Sequence, residues 1–138
     1  MYIEVKVVVK PTEDENKVKT ALENVFDYEK LEYKYNDETY LIATSTKIES
    51  LKKLSEKVKK ERKELSVRSL LLRSIENNQI KFKLNKQAAY MKKLSFSTVE
   101  EETPLGAIEF RIFAENIKDI IDYIAPLPKT QTSKVKKS

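Results

Sequence analysis

The strand-like segments of this chain alternate. Ile3, Val5, Val7 and Val9 are interleaved with Glu4, Lys6 and Lys10; Leu31, Tyr33 and Tyr35 with Glu32 and Lys34; Ile80, Phe82 and Leu84 with Lys81 and Lys83. A period of two gives a strand one apolar and one polar face. A sheet built from such strands is buried on one side only, which favours antiparallel pairing over a parallel sheet covered on both faces.

Helical patterns punctuate the strands. Pro11 stops the first strand, Thr12 and Glu15 have the spacing of a capping box, and Val18, Ala21, Leu22 and Val25 recur on one helical face. Asn36-Asp37 is a turn pair that joins the second strand to a third from Tyr40 to Thr44. Thr46 and Glu49 form a second capping-box spacing before Ile48, Leu51, Leu54, Val58 and Leu65. The offset set Val67, Leu70, Leu71 and Ile75 predicts a break near Glu64 to Ser66 and a third helix ending at Asn77-Asn78.

After the strand at Ile80 to Leu84, Asn85 is placed to cap a short helical turn. Leu94 to Thr98 and Ala107 to Phe113 are the remaining strands, and Ile117, Ile120, Ile121 and Ile124 face inward from a last helix. Gly106, the only glycine, falls at a turn that calls for positive φ. The predicted order is β-α-β-β-α-α-β-β-β-α. This is an α+β two-layer sandwich, a mostly antiparallel sheet of about five to six strands with helices on one face. Residues 1–128 form one domain, and 129–138 form a disordered basic tail.

Chemistry is narrowed by what the sequence lacks. With no Cys and no His, it excludes disulfides, thiolate catalysis, zinc sites and imidazole acid–base work. One glycine cannot build a phosphate-cradling loop. The acid pairs Glu13/Asp14 and Asp119/Asp122 fall in first turns of predicted helices, where carboxylates meet the positive end of the helix dipole. Glu100, Glu101 and Glu102 read as a solvated acidic loop. No enzyme, metal, cofactor or membrane segment is expected, and the localisation expected is cytoplasmic. Many Lys and Glu with few loop residues also fit a thermophile.

The net charge of +5 is unevenly spread. Four lysines and no acid lie in 129–138, leaving +1 on the remainder. Thr12 to Tyr40 holds four basic against nine acidic residues, Lys47 to Lys63 eight against three. The second stretch reads as a solvated helix with Glu49–Lys53 and Glu56–Lys60 pairs at i,i+4. From Arg68 to Lys93, Arg68, Arg73, Lys81, Lys83, Lys86, Lys92 and Lys93 face one acid, Glu76, and Tyr90 lies among them. Cations with an available ring suit single-stranded or looped RNA. Equally, Tyr90 could anchor the turn in the core and the lysines could be solubilising.

Four stretches together resemble an archaeal uncharacterised protein family labelled RNA-binding-like or predicted exosome-associated. They are Lys10-Pro11-Thr12-Glu13-Asp14; Leu84 with Asn85, Lys86, Gln87, Ala88 and Ala89; Pro104-Leu105-Gly106; and Ile121-Asp122-Tyr123-Ile124-Ala125-Pro126. The chain departs from the family pattern at Tyr90-Met91, where a glycine soon after the alanines is usual, and at Tyr123, where Trp is usual. The resemblance implies a fold similar to the large-subunit ribosomal protein that holds 5S rRNA, and no activity. Two functions follow. One is sequence-independent association with RNA or a ribonucleoprotein through Arg68 to Lys93. The other is a homodimeric protein-interaction module that binds no RNA. Hydrolysis assisted by a metal on acidic clusters is a distant third.

Overall fold

The computed structural model describes residues 1–97 and 106–127. Its elements are β1 (Tyr2–Val9), α1 (Glu15–Val25), β2 (Lys30–Asn36), β3 (Glu38–Ser45), a 3₁₀ turn (Ile48–Leu51), α2 (Lys52–Lys60), α3 (Glu64–Arg73), β4 (Gln79–Leu84), α4 (Lys86–Tyr90), β5 (Phe96–Ser97), β6 (Ile108–Phe113) and α5 (Ile117–Ile124). The strands form one antiparallel sheet in the order β2-β3-β1-β6-β4-β5. Fold class and element order agree with the sequence reading. The acidic residues Glu100 to Glu102, Pro104-Leu105 and the tail at 129–138 lie outside the described residues.

The alternation does what it predicts in β1, β4 and β6, but not in the edge strand β2, whose Tyr33 and Tyr35 are exposed. Ile3, Val5, Val7 and Val9 of β1, Ile80, Phe82 and Leu84 of β4, and Ile108, Phe110 and Ile112 of β6 are buried against the helices. Phe110 stacks on Phe82 with ring centroids 4.8 Å apart and meets Phe26, just past α1, edge-on at 5.7 Å. Such aromatic pairs add to the burial of their area and fix helix layer to sheet at the centre.

The opposite face is open, and its charges alternate across the strands in one row but not in the next. One row runs Glu32, Ile42, Lys6, Glu109, Lys83; the next runs Lys30, Thr44, Glu4, Arg111, Lys81. Lys6 lies 4.6 Å from the centre of the Tyr40 ring, and Arg111 reaches Glu4 at 3.9 Å.

Local starts and stops depart from expectation in several places. The N-cap of α1 is Asp14, whose Oδ1 accepts the Asn16 N–H at 2.9 Å. The Thr12–Glu15 box does not form because Lys10 to Glu13 closes its own turn, with Glu13 N–H on the Lys10 carbonyl and Lys10 N–H on Glu13 Oε1, both at 2.9 Å. Glu13 and Asp14 therefore precede the helix rather than occupying its first turn. The Thr46–Glu49 box is also absent, since the Thr46 hydroxyl and N–H both bond Glu29 Oε1 and the chain enters α2 through the 3₁₀ turn. The break between α2 and α3 falls at Arg62, whose φ is 54°, and α3 ends at Arg73 rather than at Asn77-Asn78. Lys53 bonds Asp27 at 2.9 Å and the Glu23 carbonyl rather than Glu49.

Candidate functional site

The short helix α4 organises the region. Asn85 caps it, its Oδ1 accepting the Ala88 N–H at 2.8 Å, as its position before the Lys-Gln-Ala-Ala run predicts. Ala89 is fully buried against α1, and a side chain larger than its methyl would push the two helices apart. Asn24 of α1 donates Nδ2 to the Ala89 and Tyr90 carbonyls at 2.9 and 3.3 Å, satisfying groups that a helix end leaves open. The exit turn needs Lys92 at φ 62°, a left-handed conformation that favours glycine, and it closes with Lys93 N–H on the Ala88 carbonyl at 2.8 Å. The departure at Tyr90-Met91 thus leaves the turn intact with a lysine in the strained position.

Lys86 is the surprise. Its side chain is 5% exposed, and its Nζ donates to the Val8 carbonyl at 2.6 Å and to Glu13 Oε1 at 2.8 Å. Gly106, at φ 79°, lies directly over this group; a Cβ there would sit 2.7 Å from Val8 Cγ1 and 3.8 Å from Lys86 Nζ. Lys10 to Asp14, Leu84 to Ala89 and Gly106 therefore converge on one ammonium group. The sequence carried a signal for this, because Lys86 continues the inward parity of Ile80, Phe82 and Leu84.

Between α1 and α4 opens a groove of about 450 Å³. Val18 and Ala21 floor it, Tyr90 and Met91 form one wall, and Glu13, Asp14 and Lys17 line the other side. Tyr90 is 41% exposed and Met91 67%, so Tyr90 does not anchor the turn in the core.

The residues of the Arg68 to Lys93 segment are not gathered into one stripe. Arg68 is held by α5, its guanidinium 2.6 Å from Asp122 and 3.2 Å from the Ala125 carbonyl. Arg73 is exposed at the end of α3. Lys81 and Lys83 project from the open sheet face, partly exposed, beside Arg111 and Glu109 on β6. Lys86 is interior. Tyr90, Lys92 and Lys93 stand exposed on the helix side, with Lys17 across the groove. Among the described residues no three carboxylates converge as a metal site, and no helix is long and apolar enough to cross a membrane.

A protein-family model described as RNA binding matches residues 2–114. A UPF0201 protein of Saccharolobus solfataricus is 41% identical over 119 residues, which cover 86% of this chain and 82% of that one. The chain belongs to the UPF0201 family. A UPF0201 protein of Sulfurisphaera tokodaii is 40% identical over 123 residues, covering 88% and 85%. The crystal structure of a UPF0201 protein from Methanococcus jannaschii superposes with a TM-score of 0.79 at 32% identity, over 93% of this chain and 95% of that one. A more distant structure from an Archaeoglobus, at 21% identity and a TM-score of 0.64 over 88% and 92%, shares the fold. Residues 2–114, the span that the family model matches, take in all three stretches that meet at Lys86.

Proposed function

We propose that this UPF0201 protein associates with single-stranded or looped RNA through the helix side of the molecule, around the groove between α1 and α4. The observation that carries the reading is the exposed ring of Tyr90 beside that groove, with exposed Lys17, Lys92 and Lys93 around it. A ring that is not needed by the core offers a base a stacking partner, and flanking ammonium groups offer phosphates a counter-charge. The RNA-binding description of the family model supports the same reading. It acts by binding and not by catalysis, and within a cell its setting would be a ribonucleoprotein assembly.

This narrows the Arg68 to Lys93 segment to its final residues, because Lys86 and Arg68 are held by internal partners and the sheet separates Lys81 and Lys83 from Tyr90. The test is retention of a single-stranded RNA as a function of salt. Wild type should lose affinity steeply as salt rises, since each phosphate contact releases counterions. Lys17→Glu/Lys92→Glu/Lys93→Glu should abolish salt-sensitive binding and leave the melting temperature nearly unchanged, exposed lysines contributing little to stability. Wild type that binds no RNA at low salt would overturn the proposal.

A further inference from the structure

The two edges of the sheet are unlike. β5 is two residues long, whereas β2 runs for seven, Lys30 to Asn36, paired with β3 on one side and, among the described residues, with no strand on the other. A row of free N–H and C=O groups is a template for another strand, and edges that stay single are shortened, bulged, interrupted by proline or guarded by charge. β2 holds no proline, and its register with β3 runs without a bulge. Charge is the remaining guard, and here the charges are self-complementary.

The side chains of β2 divide by face. Leu31 and Tyr33 lie opposite Ala43 and Leu41, which are buried beneath the helices, so Leu31, Tyr33 and Tyr35 stand on the helix side. Glu32 and Lys34 lie opposite Ile42 and Tyr40 on the open side. The helix layer stops short of this edge, leaving Tyr33 51% and Tyr35 79% exposed. Lys34 forms no ion pair among the described residues, and Glu32 meets its strand neighbour Lys30 at 3.4 Å between two exposed side chains.

We propose that β2 pairs antiparallel with β2 of a second copy of this chain, centred on Tyr33, so that two six-stranded sheets become one about a two-fold axis. In that register Tyr33 meets its own counterpart, Leu31 meets Tyr35, and Glu32 meets Lys34. Residues opposite one another in an antiparallel pair share a face, so the apolar side chains of both copies cover each other on the helix side and two Glu–Lys pairs form on the open side. A slip by one residue would set the tyrosines against the charges and send the two helix layers to opposite faces. A slip by two opposes like charges, Glu32 to Glu32 and Lys30 to Lys34 in one direction and Lys34 to Lys34 in the other, which is destabilising. The pairing centred on Tyr33 satisfies both faces along the whole strand, and a contact that is the same patch on both copies closes at two. This inference goes beyond the RNA reading and does not depend on it, since none of the residues assigned to RNA lies on β2.

The experiment measures the molar mass of the full chain by sedimentation equilibrium over a concentration series. Wild type should pass from monomer to dimer and no further. Glu32→Lys and Lys34→Glu, each alone, turn both symmetry-related pairs from attraction to repulsion and should weaken the dimer about ten-fold or more. Mixed in equal amounts, the two variants match every pair again and should form a heterodimer about as tight as the wild-type dimer, which misfolded single variants could not do. Wild type that stays a monomer at every concentration overturns the proposal. A dimer unmoved by either single variant places the contact elsewhere and overturns it too, as does a mixture of the two variants that remains monomeric.

Discussion

Lys92 shows how a single residue can hold two roles in opposition. Its φ of 62° is a conformation that costs an L side chain on the order of 1 kcal/mol and costs glycine little. Its exposed ammonium is one of the proposed phosphate contacts. Lys92→Gly should therefore hold or raise the melting temperature while lowering the slope of log affinity against log salt by about one; a fall in melting temperature would show the lysine is stabilising the turn. Glu29 makes a different single-residue prediction. The Thr46 backbone N–H, then the Thr46 hydroxyl, hold its carboxyl below the ordinary 4.5, against a smaller opposing effect of desolvation, and Ser45 and Lys47 add to the lowering. A depressed folded-state pKa contributes stability above the ordinary value and loses it as pH falls through the folded one. Denaturant melts from pH 6 to pH 2 should show this acid limb flattened in Glu29→Gln. Tyr28 titrates at the other end, its hydroxyl pushed up to about 12 by burial and by the hydrogen bond it donates to Glu23.

At the scale of elements, strands were the most readable part of the sequence. Alternation in β1, β4 and β6 specifies both the strand and the face it buries, because slipping by one residue would turn Phe82 or Phe110 into solvent. Helix faces were equally plain where four apolar residues recur, as in Ile117 to Ile124. Helix starts were not. The pattern Thr-x-x-Glu specifies residue types, whereas the cap forms only if no tighter local bond competes; at Thr12 the Lys10–Glu13 turn competes, and at Thr46 the distant Glu29 does. Asn85 met no such rival. Asn85→Ala should cost about 1 kcal/mol in stability by denaturant melts, and because α4 carries Tyr90, RNA affinity should fall with it. Unchanged stability would show that packing of Ala89 on α1 is enough to hold the helix without its cap.

For the molecule as a whole, the sheet is a partition. A run of basic residues that is contiguous in sequence from Arg68 to Lys93 is divided by it, because a strand sends alternate side chains to opposite faces and α4 then carries the chain back into the helix layer. No one-dimensional count of charge could reveal this, since the separation depends on which side of β4 each lysine leaves. On the open face Lys81 stands beside Arg111, with Glu4 next along the row, and the sheet separates this pair from the Tyr90 groove; at physiological salt charges beyond about 8 Å are screened. Lys81→Glu should change RNA affinity less than two-fold where Lys92→Glu/Lys93→Glu changes it many-fold; a large effect of Lys81→Glu would place the RNA on the open sheet.

Lys86 has a chemical consequence for all of this. Amine-reactive esters modify a lysine only when its nitrogen is accessible and has shed its proton, and this nitrogen lies buried between a backbone carbonyl and a carboxylate. Brief acylation of the native protein should therefore leave the Lys86 peptide unlabelled while Lys17, Lys92 and Lys93 react, and bound RNA should slow those three without altering the first. A residue fixed by the fold would serve as the internal blank against which the footprint of a ligand is read.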